Sequence, residues 1–266
     1  MSLKSVRGIS IGYDEYGSGT PLVLVHGHPF NRSMWNEQVE AFAGSYRVIV
    51  PDLRGYGETT VVPGKTTLDE MAGDIAALLD ALAIDQVILG GLSMGGQIVF
   101  EFYRQFPGRV RALLLADTQA QADTEEGRAT RYATAQRLVA EGMHDFAEEM
   151  LSRLLSPQTR ASQPEVVDKV RHMILGTKPE GAAAALRGRA ERRDYTSMLS
   201  EITVPTLIVV GSEDEYTPIS DAELMYHGIA GSQLAIIEGV GHMPNMERPS
   251  EFNAVLGQFL LHSISL

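Results

Sequence analysis

Residues 90–96 read GGLSMGG, so that four glycines surround one serine, Ser93. An apolar run at 86–89 precedes the stretch, and residues 97–101 (QIVFE) have the pattern of a helix. A strand that turns sharply into a helix needs glycine near the turn, because side chains there would collide with the backbone. The GxSxG pattern at 91–95 therefore predicts a strand, a tight turn with an exposed hydroxyl, and a helix. By itself the motif also fits a tight turn between a strand and a helix that has no catalytic role.

Short apolar runs rich in β-branched residues recur along the chain, at 21–25, 47–50, 109–115, 205–210 and 233–237. Runs that are apolar on both faces are typical of a parallel sheet covered by helices. The sequence therefore predicts an α/β protein with a mostly parallel, doubly wound sheet.

Two further local patterns accompany these runs. Residues 67–70 (TLDE) form a capping-box pattern that opens an amphipathic helix over 68–82. Residues 9–16, which end at the GSG of 17–19, predict an antiparallel hairpin at the edge of the sheet.

One connection is too long for a simple crossover, because residues 117–204 separate two predicted strands. A structureless loop of that length is uncommon in a compact domain. Helical patterns occur instead at 125–141, 145–155, 165–175 and 180–193. We therefore expect a core domain of residues 1–118 and 203–266 and an inserted helical cap of residues 119–202.

The composition excludes several classes of function. The formal net charge of −12 disfavours nucleic acid and anionic membranes as partners. The chain has no cysteine, which excludes disulfides, thiolate metal sites and a cysteine nucleophile, and is consistent with a reducing compartment. The chain shows no apolar signal region, and no apolar run approaches the ~18 residues that a membrane span needs. We expect a cytoplasmic protein, and the oligomeric state stays undecided.

A serine hydroxyl becomes a good nucleophile only when a base accepts its proton. The best candidate base is His242, in a glycine-flanked loop directly after the run at 233–237. Asp214, directly after the run at 205–210, is the preferred group to orient it. Asp117 ends another predicted strand at the same edge and stays open as a rival. The order serine, acid, histidine along the chain fits a known catalytic arrangement.

The oxyanion of a tetrahedral intermediate needs two backbone N–H groups in fixed positions. We expect one from Met94, directly after the serine, and one from His28 in the loop HGHPF, because Pro29 has no N–H to donate. Phe30 is a candidate to bind the acyl group, as are Trp35 and Met94, although ordinary core positions fit them too, and a core position is the preferred interpretation for Trp35. His26 and His28 lack a third ligand nearby, so we expect no metal.

Five motifs along the chain carry a resemblance to a known family. They are HGHP at 26–29, DLRGYG at 52–57, GLSMG at 91–95, GSED at 211–214 and GH at 241–242. In this order, which extends over nearly the whole chain, they resemble the serine hydrolases of the α/β-hydrolase fold. Within that family the chain is similar to small microbial carboxylesterases and 3-oxoadipate enol-lactonases.

The resemblance implies an α/β-hydrolase fold and a role for each matched residue. Ser93 is then the nucleophile, His242 the general base and acid, and Asp214 the group that orients it. The N–H groups of His28 and Met94 form the oxyanion hole, and no cofactor is needed. Serine at position 93 argues against haloalkane dehalogenases and epoxide hydrolases, which use aspartate there.

The expected activity is cleavage of a small carboxylic ester or lactone through an acyl-enzyme on Ser93. Two alternatives stay open, namely a ligand sensor with slow turnover and a cofactor-free perhydrolase or haloperoxidase. The basic stretch RGRAERR at 187–193 could hold a substrate carboxylate. Our preferred expectation is that its arginines lie on a solvated helix face and pair with Glu191 and Asp194.

Overall fold

The computed structural model describes residues 2–263. Its strands are β1 Ser2–Val6, β2 Ile9–Tyr16, β3 Pro21–Val25, β4 Arg47–Pro51, β5 Val87–Leu92, β6 Val110–Ala116, β7 Thr206–Gly211 and β8 Gln233–Ile237. They form one sheet in the order β1-β2-β4-β3-β5-β6-β7-β8. In this order, each pair of adjacent strands from β4 to β8 is parallel. The predicted α/β class with a mostly parallel sheet is confirmed.

The first two strands form the antiparallel edge of the sheet, and β2 also pairs antiparallel with β4. Arg7 and Gly8 join β1 to β2 with φ of 46° and 79°, the positive values that a type I′ hairpin turn requires. The predicted antiparallel pairing is confirmed, but residues 9–16 form one strand and not a whole hairpin. The other arm is β1, which lacked a recognisable apolar pattern because only Val6 of its residues is buried.

Six helices outside the long connection cover the sheet. They are α1 Asn36–Phe42, α2 Leu68–Ala81, α3 Met94–Gln105, α9 Ile219–Gly228, α10 Pro244–Glu247 and α11 Pro249–Ser263. The predicted capping box begins α2, since Thr67 Oγ1 accepts from the backbone N of Glu70 at 3.2 Å and Glu70 Oε2 accepts from the backbone N of Thr67 at 2.8 Å. Within residues 2–263, no helix is both long and apolar enough to cross a bilayer.

The strands bury side chains on both faces of the sheet. In β3, Val23 and Val25 pack into a core with residues of α2, α3 and α9, whereas Leu22 and Leu24 pack into a second core with residues of α1 and α11. This alternation explains why the strand sequences are almost continuously apolar. The carboxyl ends of the parallel strands meet at one edge of the sheet, below the connection between β6 and β7.

The connection between β6 and β7 contains five helices, which we call the helical insertion. They are α4 Glu125–Glu141, α5 His144–Leu154, α6 Pro157–Ser162, α7 Pro164–Gly176 and α8 Pro179–Ala190. The four predicted helical stretches are found, and the short α6 was not foreseen. The division into residues 1–118 with 203–266 and 119–202 stays a prediction, and residues 1 and 264–266 lie outside the described part of the chain.

The insertion is packed closely onto the core through α8. A Cβ on Gly181 would overlap the backbone of Gly55, and a Cβ on Gly188 would overlap the carbonyl of Thr66. The backbone N of Thr66 also donates to the carbonyl of Ala184 at 3.0 Å. Glycine in α8 thus lets two backbones approach more closely than any side chain would permit.

Candidate active site

Ser93 lies at the sharp turn between β5 and α3. Its φ of 57° and ψ of −118° belong to a region that residues with a side chain rarely adopt. A Cβ on Gly91 would overlap the backbone of Gly95, and a Cβ on Gly95 would overlap the carbonyl of Val25. The predicted strand, turn and helix are therefore present, and the glycines at 91 and 95 are a steric requirement of the turn.

Two hydrogen bonds hold this strained turn against the neighbouring strand. The backbone N of Ser93 donates to the carbonyl of Ala116 at 2.9 Å, and Thr118 Oγ1 donates to the carbonyl of Ser93 at 2.7 Å. Both partners lie at or just beyond the end of β6. The surroundings thus fix the backbone of Ser93 and leave its hydroxyl free to face a cavity.

Asp214 and His242 meet at the ends of β7 and β8. Nδ1 of His242 lies 2.7 Å from Oδ2 of Asp214. The same oxygen accepts a hydrogen bond from Thr217 Oγ1 at 2.5 Å, and Oδ1 accepts from the backbone N of Tyr216 at 2.8 Å. Burial alone would raise the pKa of Asp214, but His242 and these donors outweigh it and lower the pKa below its usual value. Asp214 is therefore a stable carboxylate that fixes the imidazole.

Asp117, the rival acid, occupies a different position in the same cluster. Its Oδ1 accepts a hydrogen bond from the backbone N of Gly211 at 2.9 Å, and Oδ2 is buried without a hydrogen-bond partner. Burial and the negative charge of Asp214 raise the pKa of Asp117 well above its usual value. The structure thus brings Asp214, and not Asp117, to the imidazole.

The two predicted oxyanion donors lie on either side of the serine. Met94 is the first residue of α3, where a backbone N–H has no acceptor within the helix. His28 lies in the loop after β3, and a Cβ on the adjacent Gly27 would come within 3.3 Å of Cβ of Ser93. The loop therefore passes directly beside Ser93, as an oxyanion hole for attack by that serine would require.

Asp117, Asp214 and His242 also form a group whose possible metal-ligating atoms lie within 4.8 Å of one another. Two of these atoms, Asp214 Oδ2 and His242 Nδ1, are hydrogen-bonded to each other at 2.7 Å. Asp117 Oδ1 is already an acceptor for the backbone of Gly211. The hydrogen bond between Asp214 and His242 gives the group the chemistry of an acid and base pair.

Comparison with known proteins agrees with this fold. The family described as alpha/beta hydrolase fold matches residues 20–249. The chain belongs to the α/β-hydrolase fold family. The hydrolase is 30% identical over 252 residues to 3-oxoadipate enol-lactonase 2 of Acinetobacter baylyi, a match that covers 94% of this chain and 92% of that protein.

Two solved structures are similar over nearly their whole length. A thermophilic esterase from Thermogutta terrifontis, studied with malate bound, is 41% identical with a TM-score of 0.95, and the match covers 98% of this hydrolase and 97% of the esterase. The enol-lactonase from Burkholderia xenovorans is 26% identical with a TM-score of 0.91, covering 98% of this chain and 100% of the lactonase. Both similarities extend through the core and the helical insertion.

The hydrolase has a cavity of about 170 Å³ between the carboxyl edge of the sheet and the insertion. Ser93, His242 and His28 line it from the core, and Phe146 and Arg189 line it from the insertion. Since Nδ1 of His242 is bound to Asp214, Nε2 is the ring nitrogen left for the cavity. The volume is below the roughly 300 Å³ at which pockets for drug-sized ligands begin, so the cavity suits a small substrate.

Phe30, the predicted substrate-binding residue, does not line the cavity. Phe30 is fully buried in the core and is not among the residues that line the cavity. Trp35 is likewise a fully buried core residue, as preferred from the sequence. The cavity takes its apolar wall from Phe146, Met150 and Leu154 of α5, and the predicted contact of Phe30 with substrate finds no support in this lining.

The arginines of residues 187–193 do not form one solvated face, contrary to the expectation from the sequence. Arg189 and Arg192 are buried, with 8% and 7% of their surfaces exposed. Glu191 pairs with Lys65, and Asp194 binds Thr196, so neither acid is the expected partner of these arginines. Packing of α8 onto the core turns its basic residues inward, which helical spacing alone does not reveal.

Three further residues of the site were missed from the sequence. Gln97, which lines the cavity, follows Ser93 by one helical turn, so the i, i+4 spacing carried a signal. Thr217 binds Asp214 in a local turn, a pattern for which aspartate is favoured. Tyr56, whose hydroxyl lies 2.7 Å from Nδ1 of His28, is part of the DLRGYG motif, but no local pattern indicates that contact.

Proposed function

We propose that this hydrolase cleaves a small carboxylic ester or lactone through an acyl-enzyme on Ser93. One observation carries the proposal: the 2.7 Å hydrogen bond from His242 Nδ1 to Asp214 leaves Nε2 for a cavity that Ser93 also lines. Relatives named as an esterase and as enol-lactonases support an ester or lactone as the substrate class.

Acylation begins when Ser93 Oγ attacks the carbonyl carbon of the substrate. His242 Nε2 accepts the serine proton, and Asp214 stabilises the imidazolium that forms. The backbone N–H groups of Met94 and His28 bind the oxyanion of the tetrahedral intermediate. The intermediate then collapses, the carbon–oxygen bond to the leaving group breaks, and the leaving oxygen takes the proton from His242.

Deacylation repeats the same steps with water as the nucleophile. His242 accepts a proton from water while the water oxygen attacks the acyl carbonyl, and the serine takes back its proton when the intermediate collapses. The products are a carboxylic acid and an alcohol. For a lactone the alcohol stays attached to the acyl chain, so that both products are one hydroxy acid.

The direct test compares wild type with Ser93→Ala on p-nitrophenyl acetate and a set of small lactones. We expect the substitution to lower kcat/KM by at least ~10³-fold, because loss of a triad nucleophile removes the covalent pathway. Ser197→Ala, at an exposed serine of the insertion, is the matched control and should behave as wild type. A Ser93→Ala protein with unchanged turnover would refute the proposal, and the ratio of lactone to ester turnover defines the preferred class.

A further inference from the structure

The cavity carries a charge opposite to that of the whole protein. Arg131, Arg153 and Arg189 line it, and no aspartate or glutamate is among its lining residues within the described chain. The protein as a whole has a formal net charge of −12. A concentration of positive charge in the one place where substrate binds therefore needs a specific explanation.

Arg189 is a buried cation without an acidic partner. Its Nε donates to the neutral Oε1 of Gln97 at 3.1 Å, and no carboxylate of residues 2–263 lies within ion-pair distance of it. Burial, and then the positive charges of Arg131 and Arg192, lower the pKa of Arg189 well below its usual range. A guanidinium in this state gains strongly from an anion that enters the cavity.

The nearest acid cannot serve Arg189, because two other arginines already share it. Arg131 Nε lies 2.5 Å from Oδ2 of Asp123, and Arg192 Nη1 lies 2.7 Å from the same oxygen. Arg131, Arg189 and Arg192 therefore have one carboxylate among them, that of Asp123. The insertion thus brings an excess of positive charge to the cavity that its own residues do not neutralise.

His28 adds a second unsatisfied group in the same wall. Its Nδ1 lies 2.7 Å from the hydroxyl of Tyr56, and its Nε2 is buried without a hydrogen-bond partner. The Tyr56 hydroxyl is fully buried and has no other acceptor in the described residues, so it donates its proton to Nδ1. The proton of the neutral imidazole is then on Nε2. Burial, followed by the charges of Arg189 and Arg131, lowers the pKa of His28 and keeps the ring neutral.

We infer that Arg189 and the Nε2–H of His28 bind a carboxylate on the acyl chain of the substrate, so that the preferred substrate is a monoester of a short dicarboxylic acid. Gln97, which holds Arg189, lies in the first turn of α3, four residues after Ser93, and four residues span about 6 Å along a helix axis. The carboxylate and the scissile ester are therefore separated by a short chain. This inference rests on the proposed function, because it assumes that Ser93 attacks the ester.

The first measurement compares wild-type kcat/KM for monomethyl succinate and dimethyl succinate by initial rates of proton release. We expect monomethyl succinate to be preferred by roughly 10- to 100-fold, the range for a hydrogen-bonded charge pair. Succinate should also inhibit hydrolysis of p-nitrophenyl acetate competitively. Equal rates on the two esters together with no inhibition by succinate would overturn the inference.

The second measurement removes the positive charge of Arg189. Arg189→Met keeps the apolar stem and should abolish the preference, mainly by raising KM for the charged ester, while the rate on dimethyl succinate reports that the protein is folded and active. Arg189→Lys should restore part of the preference. Arg187→Met, on the same helix but with its guanidinium bound to the carbonyl of Gly64 outside the cavity, is the matched control.

The outcomes separate this inference from the proposed function. If Ser93→Ala abolishes activity on the neutral ester but Arg189→Met leaves the preference for the charged ester unchanged, the carboxylate site is wrong and the nucleophile assignment stands. If Ser93→Ala retains activity on both esters, the proposed function itself fails. An equal loss of preference in Arg187→Met would show a general effect of surface charge and would also overturn the site.

Discussion

The carboxyl edge of the sheet and the helical insertion differ in how many partners they provide for their buried charged side chains. The carboxylate of Asp214 in the core has four hydrogen-bond partners, namely His242, the hydroxyl and the backbone N of Thr217, and the backbone N of Tyr216. Arg189 in the insertion donates to one neutral acceptor, Gln97, and lines the cavity. Under the proposed mechanism, the contrast means that the reacting groups are preorganised before substrate arrives, whereas the proposed carboxylate site is completed by the substrate.

The largest expected effect separates the two acids of the core. Asp214→Asn should lower kcat by roughly 10⁴-fold, because the imidazole loses the carboxylate that sets its tautomer and stabilises its charge. Asp117→Asn should lower it by less than about 10-fold, since Asp214 is the acid that is hydrogen-bonded to the imidazole and an amide oxygen at position 117 can still accept from the backbone N of Gly211. Steady-state kinetics on p-nitrophenyl acetate measures both. The reverse order of effects would transfer the orienting role to Asp117.

The next effect concerns how firmly the insertion is held on the core. Gly188→Ala should lower the free energy of unfolding by about 1–3 kcal/mol, because its Cβ would overlap the carbonyl of Thr66. Gly176→Ala, the last residue of α7, has no atoms within 4 Å of the added Cβ and is the matched control. Alanine there should be neutral or stabilise the protein by up to about 1 kcal/mol. Urea denaturation that finds the same change in both variants would contradict the close contact.

The smallest effect tests the link between the two regions. Tyr56→Phe removes the hydroxyl that sets the tautomer of His28 and should lower kcat/KM for monomethyl succinate by roughly 2- to 10-fold, the usual value of one neutral hydrogen bond. The rate on dimethyl succinate should stay close to that of wild type. An equal loss on both esters would mean that Tyr56 supports the fold and not the carboxylate site.

The sequence predicted the core better than the insertion for a physical reason. Strands, the capping box of α2 and the turn at Ser93 depend on local rules of periodicity, capping and steric clash, which the sequence shows directly. The pairing of Asp214 with His242 could be predicted because both follow strands that end at one edge. The short β1 escaped detection because it is mostly exposed and lacks an apolar pattern.

The insertion depends on long-range packing that no local pattern records. Arg189 faces the cavity because glycines at 181 and 188 bring α8 against the core loops, and not because of its spacing from other charges. Phe30 was proposed as a cavity residue from its place near the oxyanion loop, yet its side chain points into the core. In both cases the direction of a side chain followed from contacts far away in sequence.

The central claim is that Ser93 is the nucleophile that becomes covalently modified. It is tested most directly by treating the protein with a p-nitrophenyl phosphonate ester, counting the p-nitrophenolate released per chain, and locating the adduct by peptide mass spectrometry. We predict one phosphonyl group per chain, bound to Ser93, and no labelling of Ser93→Ala. Stoichiometric labelling of another residue, or an unlabelled Ser93 in an inactivated protein, would contradict the account.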